Sequence, residues 1–175
     1  MQFINLMMYA AMALTSLFQQ PFESESSKKS IFSTDHQVEF PGVVLEAGVY
    51  TVSLRKSDEK RSAVQISNQD ETQILASLVA VPDHGLRPED DQEFTFHDVR
   101  SDGPQPVHSW FYAGDLVGLE FVYPKLRAKE IAKESNQHVI ASDGSGETVI
   151  LAVTPNGKEI IIDAPIAQTA KRKSQ

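Results

Sequence analysis

The sequence lacks cysteine entirely, and it has fewer basic than acidic residues. Without cysteine, a disulfide framework, thiol catalysis and metal sites built on thiolates are excluded. The 16 Lys and Arg residues are outnumbered by 24 Asp and Glu residues, which gives a net charge of −8. A net negative charge is unfavourable for binding the negatively charged phosphate backbone, so nucleic acid is not an expected partner.

Sequence motifs for phosphate binding and nucleophilic catalysis are also missing. The chain has no G-x-x-x-x-G-K, no G-x-G-x-x-G and no G-x-S-x-G segment. The glycines around Ser145 in DGSGE stand at the wrong offsets for a nucleophile elbow. We therefore assign no catalytic residue and no cofactor from motifs.

The composition indicates an ordinary globular domain. The 175 residues are 41% hydrophobic and 23% charged, which suits one domain with short additional segments. Four segments follow from the local composition: a signal peptide or uncleaved anchor (1–22), a polar linker (23–35), a β domain that ends in a helix (36–137), and a tail with a β-hairpin and a frayed C-terminus (138–175).

The N-terminal segment is uncharged and apolar. Phe3–Phe18 has the length of the hydrophobic region of a signal peptide and is short for a membrane span. However, no Lys or Arg precedes it, and SLFQQPFES is a poor cleavage site. The alternatives are a helix packed on the body of a cytosolic protein and a retained anchor. We favour export to the periplasm or cell envelope, with membrane contact only if the segment is retained.

The rest of the sequence predicts an all-β fold, an antiparallel sandwich or barrel of about seven to nine strands with one short surface helix. Alternating apolar residues predict a hairpin with Tyr50, Val52 and Leu54 on one face of its first strand. The same alternation predicts that Val64 and Ile66 point inward on its second strand. Thr72–Pro82 is apolar on both faces, which favours a central strand.

Two further elements are predicted after residue 124. PKLRAKEIAKESNQ favours a helix over Lys125–Gln137, placed on the surface of the sheet. Its apolar stripe is thin and consists of Leu126, Ala128, Ile131 and Ala132. Asn156-Gly157 between two β-rich runs predicts a hairpin near the C-terminus.

The chain resembles a family of uncharacterised exported bacterial proteins with an LxAGxYT hairpin start and a WFYxGD…EFVYP block. The matching positions are Leu45, Ala47, Gly48, Tyr50 and Thr51, followed by Trp110, Phe111, Tyr112, Gly114, Glu120, Phe121, Val122, Tyr123 and Pro124. The resemblance spans roughly Val38 to Lys133 and departs at Ala113, where proline is expected. It implies a signal peptide and a compact β domain, and it supplies no activity and no catalytic residue.

The histidines do not have the spacing of a metal motif. There are five, with no HxH, HExxH or HxxxH pair: His36, His84, His97, His108 and His138. His97 and His108 can meet across neighbouring strands with Asp83 or Asp98 nearby, but alternation places His97 opposite Phe94 and predicts that it is exposed. The acidic run Pro88–Glu93 lacks the alternate-residue spacing of a calcium loop. We therefore predict no metal site.

The densest feature is an aromatic cluster: Trp110, Phe111, Tyr112, Phe121 and Tyr123. Core packing is the favoured interpretation, because Trp and Tyr are mostly buried. If Trp110 and Tyr112 face outward, they form a ligand-binding patch with Asp115 and Glu120 as hydrogen-bonding acids.

The predicted function is that of an exported, non-enzymatic protein that binds a ligand or partner or has a structural role in the envelope. The alternative is a small carboxylate-dependent hydrolase or a carbohydrate-binding module that uses Trp110 and Tyr112. The sequence leaves the ligand and the oligomeric state open.

Overall fold

The computed structural model describes residues 28–57, 60–84, 93–100, 102–144 and 149–163. The predicted signal peptide or anchor (1–22), most of the acidic run, Ser145 and the C-terminal end lie outside the described residues. Among the described residues, no helical segment has the length and apolar character needed to cross a bilayer.

The fold is all-β, as predicted, with a nine-stranded mixed sheet as its larger part. Its strands lie in the order β1-β4-β5-β6-β9-β8-β2-β3, and β7 pairs with β8. Their bounds are β1 Lys29–Thr34, β2 Val38–Phe40, β3 Val43–Leu45, β4 Gly48–Ser57, β5 Ser62–Asn68, β6 Ile74–Asp83, β7 Phe94–Phe96, β8 Gln105–Trp110 and β9 Gly118–Phe121.

A smaller sheet of four strands and a helix complete the described structure. The strands lie in the order β10-β11-β12-β13, with bounds β10 Tyr123–Pro124, β11 Val139–Ser142, β12 Ile150–Val153 and β13 Glu159–Asp163. The helix α1 spans Lys125–Ser135 and ends at Asn136, which has the left-handed conformation of a C-cap. The tail hairpin predicted at Asn156-Gly157 is β12–β13, with Gly157 at a φ of 80°.

The structure differs from the sequence expectation in three respects. The described residues form thirteen strands, whereas the sequence predicts about seven to nine. The prediction is too low because several strands are only two to four residues long and leave no periodic signal. Two pairings, β2 with β8 and β10 with β11, are parallel. Residues 29–34, predicted as part of the linker, form edge strand β1 against β4, with Phe32 as its buried anchor.

The core lies on one face of the large sheet and continues under α1. Ala128, Ile131 and Ala132 of the helix are fully buried in it, as the predicted apolar stripe requires. The prediction that Leu126 belongs to this stripe is wrong, because Leu126 is 79% exposed. The chain crosses between the sheets at Val122, between β9 and β10. Val122 packs with Val81 of the large sheet and with Ile140 and Ile150 of the small one.

Candidate functional site

A small cavity, here called the Trp110 pocket, opens beside the ends of β4, β5, β6 and β9. Its volume is about 180 Å³, below the range of about 300–1,000 Å³ that holds drug-sized ligands. The lining residues are Lys28, Leu54, Ser57, Ser62, Pro82, Trp110, Tyr112, Asp115, Val117, Gly118 and Leu119. The volume therefore suits a single ring or a side chain.

Strand register places the apolar floor of this pocket. Leu119 of β9 is the cross-strand partner of Trp110 on β8 and of Pro82 on β6. Paired residues point to the same face of a sheet, so three adjacent strands present apolar groups together. Gly118 is required beside this floor, because a Cβ there would lie 2.7 Å from the buried ring of Phe111.

The rim of the pocket is polar. Tyr112 follows β8 and meets Trp110 edge to face, with ring centroids 6.1 Å apart. A turn then brings Asp115 back, with its N–H donating to the Tyr112 carbonyl at 3.0 Å. Asp115 forms an ion pair with Lys28, whose Nζ lies 5.8 Å from the centroid of the Tyr112 ring. On another part of the lining, the hydroxyls of Ser57 and Ser62 are 3.0 Å apart.

Trp110 itself belongs to the core, which agrees with the favoured interpretation of the aromatic cluster. Only 1% of its surface is exposed, and the indole Nε1–H donates to Ser30 Oγ at 3.0 Å. One face of its ring stacks on Phe94 at a centroid distance of 6.2 Å. Its indole is therefore not an exposed platform for stacking a sugar.

A second group of polar side chains lies on the opposite face of β6 and β9. Glu120 is the partner of Ser109 on β8 and of Val81 on β6, and Asp83 lies two residues beyond Val81 on the same face. Asp83, His108 and Glu120 each offer a ligand atom, and these three atoms lie within 4.8 Å of one another. We call these three residues the His108 cluster.

A β-bulge directs His108 into this cluster. Between Phe94 and Phe96 the β7–β8 register shifts, so that both His108 and Ser109 stand opposite Thr95. The Thr95 Oγ1 accepts from the Ser109 N–H at 3.1 Å and lies 3.5 Å from His108 Nδ1. The other imidazole nitrogen, Nε2, lies 3.1 Å from Glu120 Oε1.

The remaining contacts hold the cluster in place. Ser109 Oγ donates to Asp83 Oδ2 at 2.5 Å. His97 packs beside His108 with ring centroids 4.6 Å apart, and its Nδ1 lies 3.2 Å from Gln137 Oε1. His97 is only 1% exposed, so the expectation of an exposed side chain is wrong. The physical reason is that β7 ends at Phe96, and strand alternation does not extend to the next residue.

The two histidines have opposite electrostatic environments. Burial, together with the charge of the neighbouring His108, lowers the pKa of His97 to about 4. Burial acts in the same direction on His108, but the hydrogen bond to Glu120 and the charges of Glu120 and Asp83 outweigh it and raise its pKa above the usual value. The His108 cluster is therefore a negative environment that stabilises a cation.

The four predicted ligand-binding residues are divided between these two places. Trp110, Tyr112 and Asp115 border the Trp110 pocket, and Glu120 lies on the opposite face in the His108 cluster. The sequence allows His97, His108 and Asp83 to meet across neighbouring strands but has no metal-motif spacing there, and it gives no signal for Lys28. The order of strands β6, β9 and β8, which assembles the cluster, is not readable from the chain.

Comparison of the chain with protein-family models, with curated proteins and with solved structures gives no match.

Proposed function

We propose that this chain is an exported, non-enzymatic binding protein and that the Trp110 pocket is its ligand site. The ligand class that suits the pocket is one ring with an apolar face and a hydrogen-bonding edge, the size of a single sugar unit. The observation that carries this proposal is the cavity itself, with an apolar floor and an ion pair at its rim.

The chemistry of the lining supports this ligand class. Leu119 and Pro82 offer apolar contact to one face of a ring. Lys28 and Asp115 supply a donor and an acceptor at the rim, and the hydroxyls of Ser57 and Ser62 supply both. A few polar groups that converge on an apolar surface are typical of small-molecule sites.

The same lining favours binding over hydrolysis. Glycoside hydrolysis by carboxylates requires two acids that flank the scissile bond. Among the described residues that line the pocket, Asp115 is the single carboxylate. Asp83 and Glu120 lie on the other face of the sheet, where they cannot act on a ligand in this pocket.

The proposed location rests on the N-terminal segment. Met1–Phe22 has no charged side chain and contains the apolar run Phe3–Phe18, which is typical of a segment that directs export. The absence of cysteine is compatible with an oxidising compartment, since no thiol is at risk there.

Titration of the full chain with glucose, galactose and N-acetylglucosamine, followed by saturation-transfer NMR and calorimetry, tests the ligand site. We expect one of the three sugars to bind, and Tyr112→Ala and Asp115→Asn each to weaken it by about tenfold, or about 1.4 kcal/mol. Tyr50→Ala is the matched control, since Tyr50 is another partly buried tyrosine outside the pocket.

The proposal fails if none of the three sugars binds. It also fails if a sugar binds and the Tyr112 and Asp115 variants leave its affinity unchanged while remaining folded by circular dichroism.

A further inference from the structure

We propose that Asp83, His108 and Glu120 bind a divalent transition-metal ion of the Zn²⁺ type. This site is independent of the Trp110 pocket, because it lies on the opposite face of β6 and β9. Three features support such a site: the distances between the ligand atoms, the groups that hold the ligands, and the chemistry of the donors.

The distances suit a shared ion. Zn²⁺ binds imidazole nitrogen and carboxylate oxygen at about 2.0–2.2 Å, so two ligands in a tetrahedral arrangement lie about 3.3 Å apart. His108 Nε2 and Glu120 Oε1 are already 3.1 Å apart. One ligand atom of the Asp83 carboxylate lies within 4.8 Å of both of these atoms, which places the third ligand beside the same position.

The ligands are held in place by groups that do not themselves bind the ion. The β-bulge opposite Thr95 directs the His108 ring, and the Ser109 hydroxyl holds Asp83. A metal ligand that is oriented by a hydrogen bond from a neighbouring residue is the usual arrangement in protein metal sites. The side chains of His108 and Glu120 are 31% and 16% exposed, so an ion can enter and water can fill the remaining coordination positions.

The set of donors indicates which class of metal fits. One neutral imidazole and two carboxylates carry a charge of −2, which a divalent cation neutralises. Ca²⁺ takes six to eight oxygen ligands, and a site that offers one nitrogen among three donors matches it poorly. Zn²⁺ accepts three protein ligands of this kind and keeps an open position for water.

The structure also offers a purely structural alternative, in which a charged His108 forms an ion pair with the two carboxylates. The two interpretations differ in what happens when a metal is supplied. A metal ion displaces the proton from His108 and binds with a stoichiometry of one. An ion pair alone leaves the protein without a specific site.

The test is calorimetric titration of the full chain, stripped with chelator and dialysed, with Zn²⁺ and, separately, with Ca²⁺. We expect one Zn²⁺ per chain and at least tenfold weaker Ca²⁺ binding. His108→Gln and Glu120→Gln should each weaken Zn²⁺ binding by at least about tenfold. Loss of a residue that only orients a metal ligand already weakens metal binding by about that much, so loss of a ligand should cost no less. The Gln side chain in Glu120→Gln keeps an acceptor for His108, so this variant is expected to fold.

His36→Gln is the matched control, because it removes another histidine that contacts a carboxylate. His36 Nδ1 lies 2.7 Å from Asp35 Oδ1 in an exposed pair outside the His108 cluster. A second readout is the thermal midpoint, which Zn²⁺ should raise in the wild type and in His36→Gln but not in Glu120→Gln. The proposal is overturned if the wild type has no stoichiometric Zn²⁺ site, or if folded His108→Gln and Glu120→Gln bind Zn²⁺ as tightly as the wild type does.

Discussion

At the scale of single residues, Trp110 is fixed by contacts on several sides. Its ring stacks on Phe94, meets Tyr112 edge to face and donates its N–H to Ser30. A large buried aromatic residue with a satisfied N–H contributes both apolar area and a hydrogen bond. Its role is therefore to hold β1, β7 and β8 together beneath the pocket.

Trp110→Ala should lower the free energy of unfolding by about 3–5 kcal/mol, because it removes a buried aromatic ring and leaves a cavity. Urea denaturation followed by circular dichroism measures this change. Leu126→Ala, at a position that is 79% exposed, is the control and should change stability by about 0.5 kcal/mol or less. A loss below about 1 kcal/mol for Trp110→Ala would contradict the core assignment.

Residue-level prediction from the sequence succeeds where a single strand or turn decides the outcome. The inward positions of Val64 and Ile66 follow from alternation, and both are buried. His97 and Glu120 show where this reasoning stops. The position of His97 depends on where β7 ends, and the face of Glu120 depends on register across a connection from residue 111 to 117 that carries no register signal.

At the scale of elements, side chains of opposite charge join the small sheet to its neighbours. Asp163, at the end of β13, accepts hydrogen bonds from Arg61 Nε at 2.9 Å and from Arg61 Nη2 at 2.6 Å. Arg61 immediately precedes β5 of the large sheet. Glu159, at the start of β13, bonds to Lys125 and Lys129 of α1, each at 2.8 Å. Both ends of the last described strand are thus tied to other elements.

The Asp163 pair gives a pH-dependent contribution to stability. The hydrogen bonds from Arg61 lower the pKa of Asp163 below its ordinary value of 3.8, although partial burial opposes the effect. A carboxyl whose pKa is lower in the folded state stabilises the fold above the unfolded pKa, and this contribution is lost as the pH falls through the folded pKa. The window of loss therefore lies below pH 3.8.

Asp163→Asn should consequently be less stable than the wild type at neutral pH, and the difference should shrink as the pH drops below 3.8. Thermal midpoints recorded from pH 7 down to pH 2 measure it, with Asp102→Asn as a control at an exposed aspartate. A difference in midpoint that stays constant over this range would show that the ion pair does not contribute.

Elements with strong local signals are also those that the sequence predicts. Pro124 before a Lys- and Glu-rich run marks α1, and Asn156-Gly157 marks the turn between β12 and β13. The parallel pairing of β2 with β8 joins residues about 67 positions apart, as in Val38 with Gln105, and no local pattern encodes it. The His108 cluster depends on such non-local pairing and on a bulge, and so it appears only in the folded chain.

At the scale of the whole molecule, the two sheets share one continuous set of contacts. The core that begins at Phe32 and Phe40 includes Ile131 of α1 and Val139 and Val153 of the small sheet. The Tyr123 hydroxyl lies 2.8 Å from the carbonyl oxygens of both Glu39 and Val107. Arg127 of α1 also forms a two-bonded ion pair with Glu39 of β2.

We therefore expect the described fold to unfold as one cooperative unit. Trp110 is the only tryptophan, so its fluorescence reports on the large sheet, while amide exchange in β12 reports on the small one. The fluorescence midpoint in urea should coincide with that of far-UV circular dichroism, and β5 and β12 should exchange with the same opening free energy. If β12 loses protection from amide exchange before the large sheet unfolds, the two sheets are separate cooperative units.

The segment Gly118–Pro124 has a further consequence for how this protein can evolve. Gly118 allows close packing of Phe111, Leu119 forms part of the pocket floor, and Glu120 supplies a carboxylate to the His108 cluster. Phe121 belongs to the core, and Val122 connects the two sheets. Tyr123 contributes a buried hydroxyl, and Pro124 precedes the first residue of the helix. Selection on any one of these roles therefore acts on the same short stretch of the gene. We therefore expect this stretch to tolerate fewer independent point substitutions than exposed positions such as Leu126 do.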